Sequence, residues 1–495
     1  MNPALQRNDR RPSANYDVAK LPPYSSLPEP LLQFAADRDD ARGTHPLRGL
    51  ASFGPYSRSG LATYIPQVRV ATVGPASGQR AMRELLAGLT HEHQPGDRPD
   101  YVPPYPGFAA VFNVGFDLAD TDAAHISLPD RLDQLGSTGP PHERVATALA
   151  GAVNQLNDVR HAFDLAVVHL PDSWDAGLRT REFDAHDYLK AVGALAGIPT
   201  QVINDRAFTF RYRASLAWRL SIACYVKAGG IPWKLAPLPG VPSDTAYIGL
   251  AYAFRGDPRE ARFVTCCSQV FDADGGGMQF VAYDANDPVE DSDQARHNPY
   301  LSRDDMRAVL ARSLRTYQSR NGGRVPRRVV IHKTTGFRND ELDGAADALE
   351  AVEEVDCIEL TTNVAWRAVW LQASRRNNER SQPDRYPVPR GTMVPVSGTA
   401  ALLWGAGNSP GVSSRGNFYQ GGKSIPRPLL LTRHAGSGPL EIAGLEALAL
   451  TKMDWNNDAL YDPVPVTIRY SQLLARTIAN VPSLPRAEYP YRLFM

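Results

Sequence analysis

The sequence predicts an α/β protein built of two successive domains, and three observations support this prediction. The chain has 495 residues, which is too long for one ordinary domain and long enough for two sizeable cores. Short apolar runs alternate with helical patterns from about residue 45 to residue 235. A Pro-rich connection, IPWKLAPLPGVPSD (231–244), follows, and beyond it the pattern changes to three strands in succession.

The first domain, residues 45–235, is predicted to contain a parallel sheet covered by helices. Its strand candidates are QVRVATVG, GFAAVFNVGF, DLAVVHLP and TQVIN. GQRAMRELLAGLT and RVATALAGAVNQL have the periodicity of amphipathic helices. Strands that alternate with helices in this way are typical of a parallel-sheet α/β domain.

The second domain, residues 236–495, begins with three predicted strands, TAYIGLAYAF, ARFVTCCSQVF and MQFVAYD. The helix DDMRAVLARSLRTYQ, the strand RRVVIH and the helix ELDGAADALEAV follow. This order is that of an RNase H-like fold. Before the first domain, residues 1–44 start with a segment rich in Pro, Arg, Asn and Ser, and we expect them to be disordered or bound to a partner.

The composition limits the function only weakly. Basic and acidic residues balance at 53 each, so any nucleic-acid binding must come from a local groove and not from the overall charge. The four cysteines have no metal-site spacing, and we expect them to be reduced thiols. No apolar run has the length of a membrane span, and the start lacks a signal-peptide core, so we expect a cytoplasmic protein.

Four polar residues of the first domain have a spacing that suits a pocket for a terminal phosphate. His186 and Lys190 are four residues apart in a predicted helix and therefore share one face. Gln201 lies in a short predicted strand, and Lys227 ends a second predicted helix just before two glycines. Together they can donate charge-assisted hydrogen bonds to one phosphate. Taken singly, a His or Lys on a helix is more often a solvated surface residue.

The use of lysine supports the pocket. Only seven of the 53 basic residues are Lys, and three of these, Lys190, Lys227 and Lys234, fall in this one segment. The compact ammonium group suits a phosphate that is held from several directions, whereas Arg prefers planar, bidentate partners.

The order His-(x3)-Lys, Gln eleven residues on, then Lys before Gly-Gly resembles the guide 5′-phosphate pocket in the MID domain of prokaryotic Argonaute proteins. FGPYSRSG (53–60) resembles the beginning of the MID half. Three further segments resemble the first strand, a central strand and the closing segment of an Argonaute PIWI domain: TAYIGLAYAF (245–254), RRVVIHKTTGF (327–337) and LTKMDWNNDALYDPVPVTIRYSQLLA (450–475). The resemblance covers roughly residues 45–495 and implies a Rossmann-like MID domain followed by an RNase H-like PIWI domain.

The resemblance also implies an inactive nuclease centre. An RNase H-type nuclease needs several carboxylates to hold two divalent ions. At the ligand positions of the family this chain has Ala251, Thr334 and, after the Arg-Pro of SIPRPLLL, Leu430. Methyl, hydroxyl and isobutyl groups cannot replace carboxylate ligands of Mg²⁺.

A separate acidic group, Asp272 and Asp274 in FDADGGG with Asp284 and Asp287, is compatible with a divalent-ion site. The favoured interpretation is a polar turn between two strands, because Asp and Gly dominate turns for backbone reasons. The further ligands and the distal Glu of an EF-hand loop are absent.

A chain of this length with MID and PIWI halves resembles the short prokaryotic Argonautes. The resemblance implies a guide RNA, a complementary single-stranded target DNA and an effector that carries an APAZ region. Such an effector is a TIR or Sir2 NADase or a nuclease, and it acts in defence against plasmids or phage. Two alternatives stay open: a guide-directed nuclease with relocated metal ligands, and a scaffold whose phosphate pocket is vestigial.

The last residues, EYPYRLFM, are unusually apolar for a chain end. On the resemblance, the carboxylate of Met495 reaches the MID pocket and helps to hold Mg²⁺ against the guide phosphate. An ordinary hydrophobic segment packed on the PIWI surface explains the same residues. The pocket departs from many relatives at His186, where they carry Tyr. Its imidazole could stack on the first base or, when protonated, pair with the phosphate.

Overall fold

The computed structural model describes residues 22–58, 65–134, 139–255, 263–284, 300–372, 382–414, 416–485 and 487–495. Each half of the described chain contains one large sheet, parallel in the first half and mixed in the second. This arrangement confirms the predicted fold class. No helix within the described ranges is both long enough and apolar enough to cross a membrane.

In the first half the strands are β1 (Ser25–Ser26), β2 (Leu32–Gln33), β3 (Arg42–Gly43), β4 (Gln67–Pro75), β5 (Gly115–Leu118), β6 (His125–Leu128), β7 (Leu165–His169), β8 (Thr200–Ile203) and β9 (Lys234–Leu235). The helices are α1 (Pro46–Phe53), α2 (Gln79–Gly88), α3 (Phe108–Phe112), α4 (Pro141–Asp158), α5 (Asp175–Leu178), α6 (Ala185–Leu195), α7 (Asp205–Thr209) and α8 (Arg213–Lys227).

The parallel sheet has the order β5–β4–β7–β8, and β6 pairs with the second part of β4. Apolar side chains alternate along β4, so that Val70 and Val73 face opposite sides. Helices α2 and α8 cover one side, and α4 and α6 cover the other. Among the described strands β8 is the edge of this sheet, flanked by α6 on one face and α8 on the other.

One predicted strand is wrong in part. The segment GFAAVFNVGF contains helix α3 and only then enters β5. Phe108 and Phe112 are four residues apart and both buried, with ring centroids 4.7 Å apart, which is helical spacing. Asn113, with φ of 57°, occupies the left-handed region and ends the helix. Apolar residues in a short run did not distinguish the two structures.

The N-terminal segment also differs from its prediction. Residues 22–44 are not disordered, because they pair with strands from both halves of this chain. β1 pairs with Met393, and β2 pairs with β9. The Glu29 carboxylate accepts hydrogen bonds from Arg390 at 2.9 Å and Lys452 at 2.5 Å. Residues 1–21 lie outside the described residues.

In the second half the strands are β10 (Thr245–Arg255), β11 (Phe263–Phe271), β12 (Gly277–Asp284), β13 (Arg328–Lys333), β14 (Glu354–Thr361), β15 (Leu371–Gln372), β16 (Gln382–Pro383), β17 (Thr392–Pro395), β18 (Ala400–Leu403), β19 (Leu429–Ala435) and β20 (Glu488–Pro490). The helices are α9 (Arg303–Arg320), α10 (Asn339–Ala348), α11 (Leu440–Leu450) and α12 (Val466–Asn480).

The second sheet has the order β1–β17–β18–β19–β14–β13–β10–β11–β12–β20. β10, β11 and β12 form the expected antiparallel meander, whereas β13 and β14 run parallel to β10. Ile248 and Leu250 of β10 pack with α9 and α10, and Tyr247 and Ala251 face α11 and α12. The central strands are therefore covered on both faces, in agreement with their near-continuous apolar sequence.

A buried charged network joins the start of β13 to α11. The Arg328 guanidinium donates to the carboxylates of Asp356, at 2.6 Å, and Glu446. Tyr247 Oη donates to Glu446 at 2.9 Å, and Arg433 lies 3.0 Å from Asp356. Burial lowers the pKa of Arg328, but its bonds to Glu446 and Asp356 raise it above its ordinary value overall. The network fixes α11 against the sheet that carries Ala251.

Candidate phosphate-binding site

The candidate pocket lies where the edge strand β8 meets both layers of helices and the last residues of the chain. The 3₁₀ turn Tyr491–Leu493 packs between α6 and α8, and Met495 is buried. Helix α12 of the second half also packs against α6. Elements of the second half therefore cover the edge of the first sheet where α6, β8 and α8 meet.

Lys190 lies in the middle of α6, one turn after His186. Its side chain is 2% exposed, and Nζ donates a hydrogen bond of 2.5 Å to the carbonyl oxygen of Thr200. Nζ also donates to the main-chain oxygen of Met495. Lys190 thus connects the first sheet to the C-terminal turn.

Lys227 approaches the same strand from the opposite face. It is the last residue of α8 and is fully buried. Its Nζ donates a hydrogen bond of 2.8 Å to Gln201 Oε1, and Gln201 Nε2 donates to the Val202 carbonyl at 3.0 Å. The structure therefore brings together Lys190, Gln201, Lys227 and Met495.

The two ammonium groups lie in an environment that disfavours their charge. Burial is the main cause that lowers the pKa of Lys227 to about 8. Burial, and next the charge of Lys227, hold the pKa of Lys190 well below its ordinary value, while Asp187 opposes this shift. The acceptors bonded to these groups within β8 are a carbonyl and a carboxamide, which carry no net charge. An anion bound here would favour the charged form of both lysines.

His186 lies one turn before Lys190 on α6, and its side chain is 42% exposed. Its Nδ1 lies 3.4 Å from the carboxylate of Asp187. Asp187 is buried and accepts two hydrogen bonds of 3.0 Å from Arg476 and one of 2.6 Å from Asn480, both in α12. Burial opposes its ionisation, but the bonds from His186 and Arg476 lower its pKa to about 2.

Asp187 is not among the predicted site residues, although the sequence contains a related signal. Asp184 caps α6, and its carboxylate accepts from the backbone N–H groups of His186 and Asp187. This cap fixes the start of α6 and therefore the direction in which His186 leaves the helix. The ion pair between α6 and α12 depends on residues 289 positions apart, which no local pattern connects.

Two places near the pocket offer atoms that could bind a metal ion: the side chains at the start of α6 and the Met495 oxygen. Asp184, His186 and Asp187 have ligand atoms within 4.8 Å of one another. They do not fit a metal ion, because Asp187 is bound by Arg476 and Asp184 caps the helix. The Met495 oxygen lies beside the Lys190 ammonium, which disfavours a bare cation. The Met495 oxygen fits the predicted Mg²⁺ only when a bound phosphate supplies further oxygen ligands. Protein-bound Mg²⁺ usually takes ligands from a phosphate in this way.

The charge of Lys227 gives a prediction for stability. Its pKa of about 8 lies below the ordinary 10.5, so the unfolded chain binds more protons between these values and the folded chain gains stability as pH rises through this window. Lys227→Met has no such dependence. We expect the variant to be at least as stable as the wild type at pH 7, and the wild type to gain about 3 kcal/mol relative to it by pH 10. Urea unfolding of both proteins across this range measures the difference, and parallel curves would contradict a desolvated Lys227.

The positions of the predicted nuclease centre lie on the second sheet. Ala251 is in β10, and Thr334 directly follows β13. These strands are parallel neighbours, and their register pairs Gly249 with His332. Continuing this register by two residues along both chains places Ala251 level with Thr334, on the same face of the sheet. Thr467 of α12 covers this face so closely that a Cβ atom at Gly249 would overlap its carbonyl.

The third predicted position, Leu430, lies on the opposite face of the second sheet from Ala251. Leu430 pairs with Thr361, whereas its neighbour Leu431 shares the row of Ala251 through β13 and β14. Adjacent residues of a strand face opposite sides, so Leu430 faces away from Ala251 and packs with Leu402. Helix α12 covers the face of the sheet that carries Ala251. This helix begins within segment 450–475, which was predicted to close the domain.

The acidic group at residues 272–287 agrees with a turn as far as it is described. Asp272 and Asp274 lie between β11 and β12, where Gly275 has a φ of 71°. Asp274 is bonded to Lys234 Nζ at 2.5 Å, so its charge is already paired. Burial, and next the charge of Asp274, raise the pKa of Asp272 to about 6. The side chain of Asp284 and the whole of Asp287 lie outside the described residues.

The fold is Argonaute-like, with a MID-like sheet followed by a PIWI-like sheet. No family model and no curated protein matches the sequence. Among solved structures, the chain is similar to Clostridium butyricum Argonaute bound to a guide DNA and a 19-mer target DNA, with a TM-score of 0.68 at 15% identity. It is also similar to Aa-Ago with externally bound siRNA, with a TM-score of 0.62 at 15% identity, and to Aquifex aeolicus Argonaute, with a TM-score of 0.60 at 14% identity.

The similarity covers 96%, 95% and 96% of this chain, respectively, but only 55%, 56% and 57% of the three known chains. The chain therefore spans a little over half the length of these Argonautes. At such low identity the similarity establishes the fold, and the function is argued from the site.

Proposed function

We propose that this chain is a guide-RNA-binding, nuclease-inactive Argonaute subunit. In this proposal it recognises complementary single-stranded DNA and activates an APAZ-containing effector of the TIR, Sir2 or nuclease type in the cytoplasm. The activated effector defends a prokaryotic cell against plasmids or phage. The observation that carries the proposal is the pair of buried ammonium groups of Lys190 and Lys227, bonded to uncharged groups of β8.

A terminal phosphate fits this pair better than an internal phosphodiester does. A terminal phosphate carries up to two charges, which match two ammonium groups, whereas a phosphodiester carries one. The lysines approach β8 from opposite faces of the sheet, so they can contact one small anion from two directions. In the proposal, Mg²⁺ is held between this phosphate and the Met495 oxygen and screens their mutual repulsion.

The test compares two RNAs of the same sequence that differ only in a 5′-phosphate or a 5′-hydroxyl. We expect the phosphorylated RNA to bind more tightly, and short 5′-phosphorylated RNAs to be recovered from protein purified from its cells. Equal affinity for the two RNAs would exclude the guide pocket. Protein that carries no nucleic acid and binds neither RNA would favour the scaffold alternative.

The cleavage prediction follows from the side chains at the positions of the nuclease centre. Ala251 and Thr334 lie level on neighbouring strands and offer a methyl and a hydroxyl group. We therefore expect guide-loaded protein not to cut a matched DNA or RNA target with Mg²⁺ or Mn²⁺. Gel analysis of end-labelled targets measures this. A guide-dependent product that persists after removal of contaminating nucleases would favour the alternative of relocated metal ligands.

The proposed partner follows from the absence of cutting. A subunit that recognises a target but leaves it intact needs a second activity to produce a response, and the Argonaute resemblance supplies the APAZ-containing effector for that step. A sensor also benefits from inactivity, because it does not destroy its own trigger. Co-purification of the effector, with activity that depends on both guide and matched target DNA, tests this part of the proposal.

The position of Met495 gives a further prediction. Its main-chain oxygen contacts Lys190, and its side chain is buried. A short polar extension after Met495 would keep most of the packing but remove a terminal carboxylate from this position. We expect the extended protein to fold normally and to bind guide less tightly, with weaker dependence on Mg²⁺ at fixed ionic strength. Unchanged affinity and unchanged Mg²⁺ dependence would exclude Met495 as a metal ligand.

A further inference from the structure

The connection between β14 and β15 exposes an aromatic side chain that the guide pocket does not use. This loop, residues 362–370, leaves Trp366 64% exposed and Val369 53% exposed. A single exposed apolar residue needs no explanation, but Trp is large and is usually buried over much of its surface. The surroundings of Trp366 therefore decide whether it has a role.

The loop is held firmly, so the exposure of Trp366 does not come from a loose connection. Val364, Ala368 and Trp370 of the loop pack against a small core that includes Leu402. The ring of Trp370 also meets Tyr24 edge to face, with centroids 5.4 Å apart. Inward-facing residues on both sides of Trp366 thus fix the loop and leave the indole facing solvent.

Two arginines bond to residues of the same loop and have no carboxylate partner among the described residues. Arg367 Nη1 donates to the carbonyl oxygens of Val364, at 3.1 Å, and Trp366, at 2.7 Å. Arg427 Nη1 donates to Asn363 Oδ1 at 3.3 Å. These bonds hold both guanidinium groups beside the loop and leave their charge uncompensated. A ligand with both a negative charge and a flat ring could bind here, with its charge on the guanidinium groups and its ring on the indole.

The loop leaves the second sheet at a defined edge. It follows Thr361 at the carboxyl end of β14, and β14 runs parallel to β13 and β10. Thr334 directly follows the carboxyl end of β13, and Ala251 lies within β10 near the same level. Neighbouring strands are about 4.8 Å apart, so β10 and β14 are separated by about 10 Å at this edge. The loop therefore begins close to the positions of the nuclease centre.

We propose that Trp366, Arg367 and Arg427 form a binding platform for single-stranded nucleic acid, with a base stacked on the Trp366 indole and phosphates on the two guanidinium groups. Any base can stack on an indole, so the platform would be tolerant of sequence, as a subunit that relies on base pairing for specificity requires. The proposal rests on the proposed function and deepens it, because it gives the unpaired part of a target strand a place to bind beside the sheet.

The test uses a fluorescent oligothymidylate with a 5′-hydroxyl, which does not depend on the phosphate pocket. We expect Trp366→Ala to weaken its binding about 5- to 100-fold and Trp366→Phe to retain most of it, because stacking needs an aromatic face. Val369→Ala is the matched control, since it removes an exposed apolar side chain of the same loop that has no aromatic face. Replacing both Arg367 and Arg427 by Ala should lower the salt dependence of binding by about one to two phosphate contacts.

The outcomes separate this proposal from the proposed function. Trp366→Ala that binds the oligothymidylate like the wild type overturns the platform, and would leave the surface for a protein partner. An equal loss in Val369→Ala also overturns it, because the loss would then not come from stacking. If the wild type shows no preference for 5′-phosphorylated RNA while the Trp366 effect remains, the guide pocket fails and the platform stands. Unchanged melting temperatures of the variants establish that they fold.

Discussion

Replacing Lys190 and Lys227 together by Ala should remove the preference for a 5′-phosphorylated guide. Each ammonium group is expected to contribute about 1.5–3 kcal/mol to guide binding, the range of a hydrogen bond to a charged group. The two contributions are coupled, because the lysines act on the same phosphate and one charge lowers the pKa of the other. Titration with RNAs that carry a 5′-phosphate or a 5′-hydroxyl measures the effect in the single and double variants.

The most informative quantity is the ratio of the affinity for the 5′-phosphorylated RNA to the affinity for the 5′-hydroxyl RNA. In the double variant this ratio should approach one, while the affinity for the 5′-hydroxyl RNA stays close to that of the wild type. Lys423→Ala is the matched control, because it removes an exposed lysine of the second half. A double variant that still prefers the phosphorylated RNA would mean that the phosphate binds elsewhere in the protein.

Replacing Arg328 by Ala should strongly destabilise the fold. The change leaves the carboxylates of Asp356 and Glu446 buried without their main cation. Removing one partner from a buried ion pair costs about 3–5 kcal/mol, and here two carboxylates lose the same partner. Chemical unfolding at pH 7 measures the loss of unfolding free energy.

Arg327→Ala is the control for this substitution. Arg327 is adjacent in sequence, but its side chain is 53% exposed and its ion pair with Glu353 lies in solvent. Exposed pairs contribute about 0–1 kcal/mol, so the control should unfold almost like the wild type. Similar losses in the two variants would show that the Arg328 network contributes no more than a surface contact.

The sequence by itself determined the fold class and the local spacing of the residues predicted to form the pocket. Strands β4, β7, β8, β10 and β13 follow from runs of apolar residues, and the helices that carry Lys190 and Lys227 follow from their periodicity and their flanking signals. These are local properties, so a single sequence records them. The spacing of His186, Lys190, Gln201 and Lys227 also belongs to this group, because it depends on one short stretch of chain.

Only the tertiary structure decided which side chains meet. Lys190 and Met495 are 305 residues apart, and Asp187 and Arg476 are 289 apart, so their contacts depend on how α12 and the C-terminal turn cover β8. The face on which Leu430 lies has the same origin. A shift of one residue in strand register reverses the face of a side chain, and register is set by pairing with distant strands and not by the Arg-Pro motif before β19.

The N-terminal segment is a second case in which local sequence did not predict the structure, because here order was found where disorder was expected. Its composition indicated disorder, yet residues 22–44 are held by β17, β9 and the buried pair of Glu29 with Lys452. A polar segment with little to bury cannot fold alone, because its few apolar contacts do not offset the loss of chain entropy. It becomes ordered here because the rest of the chain supplies strand edges and buried cations, which composition alone does not reveal.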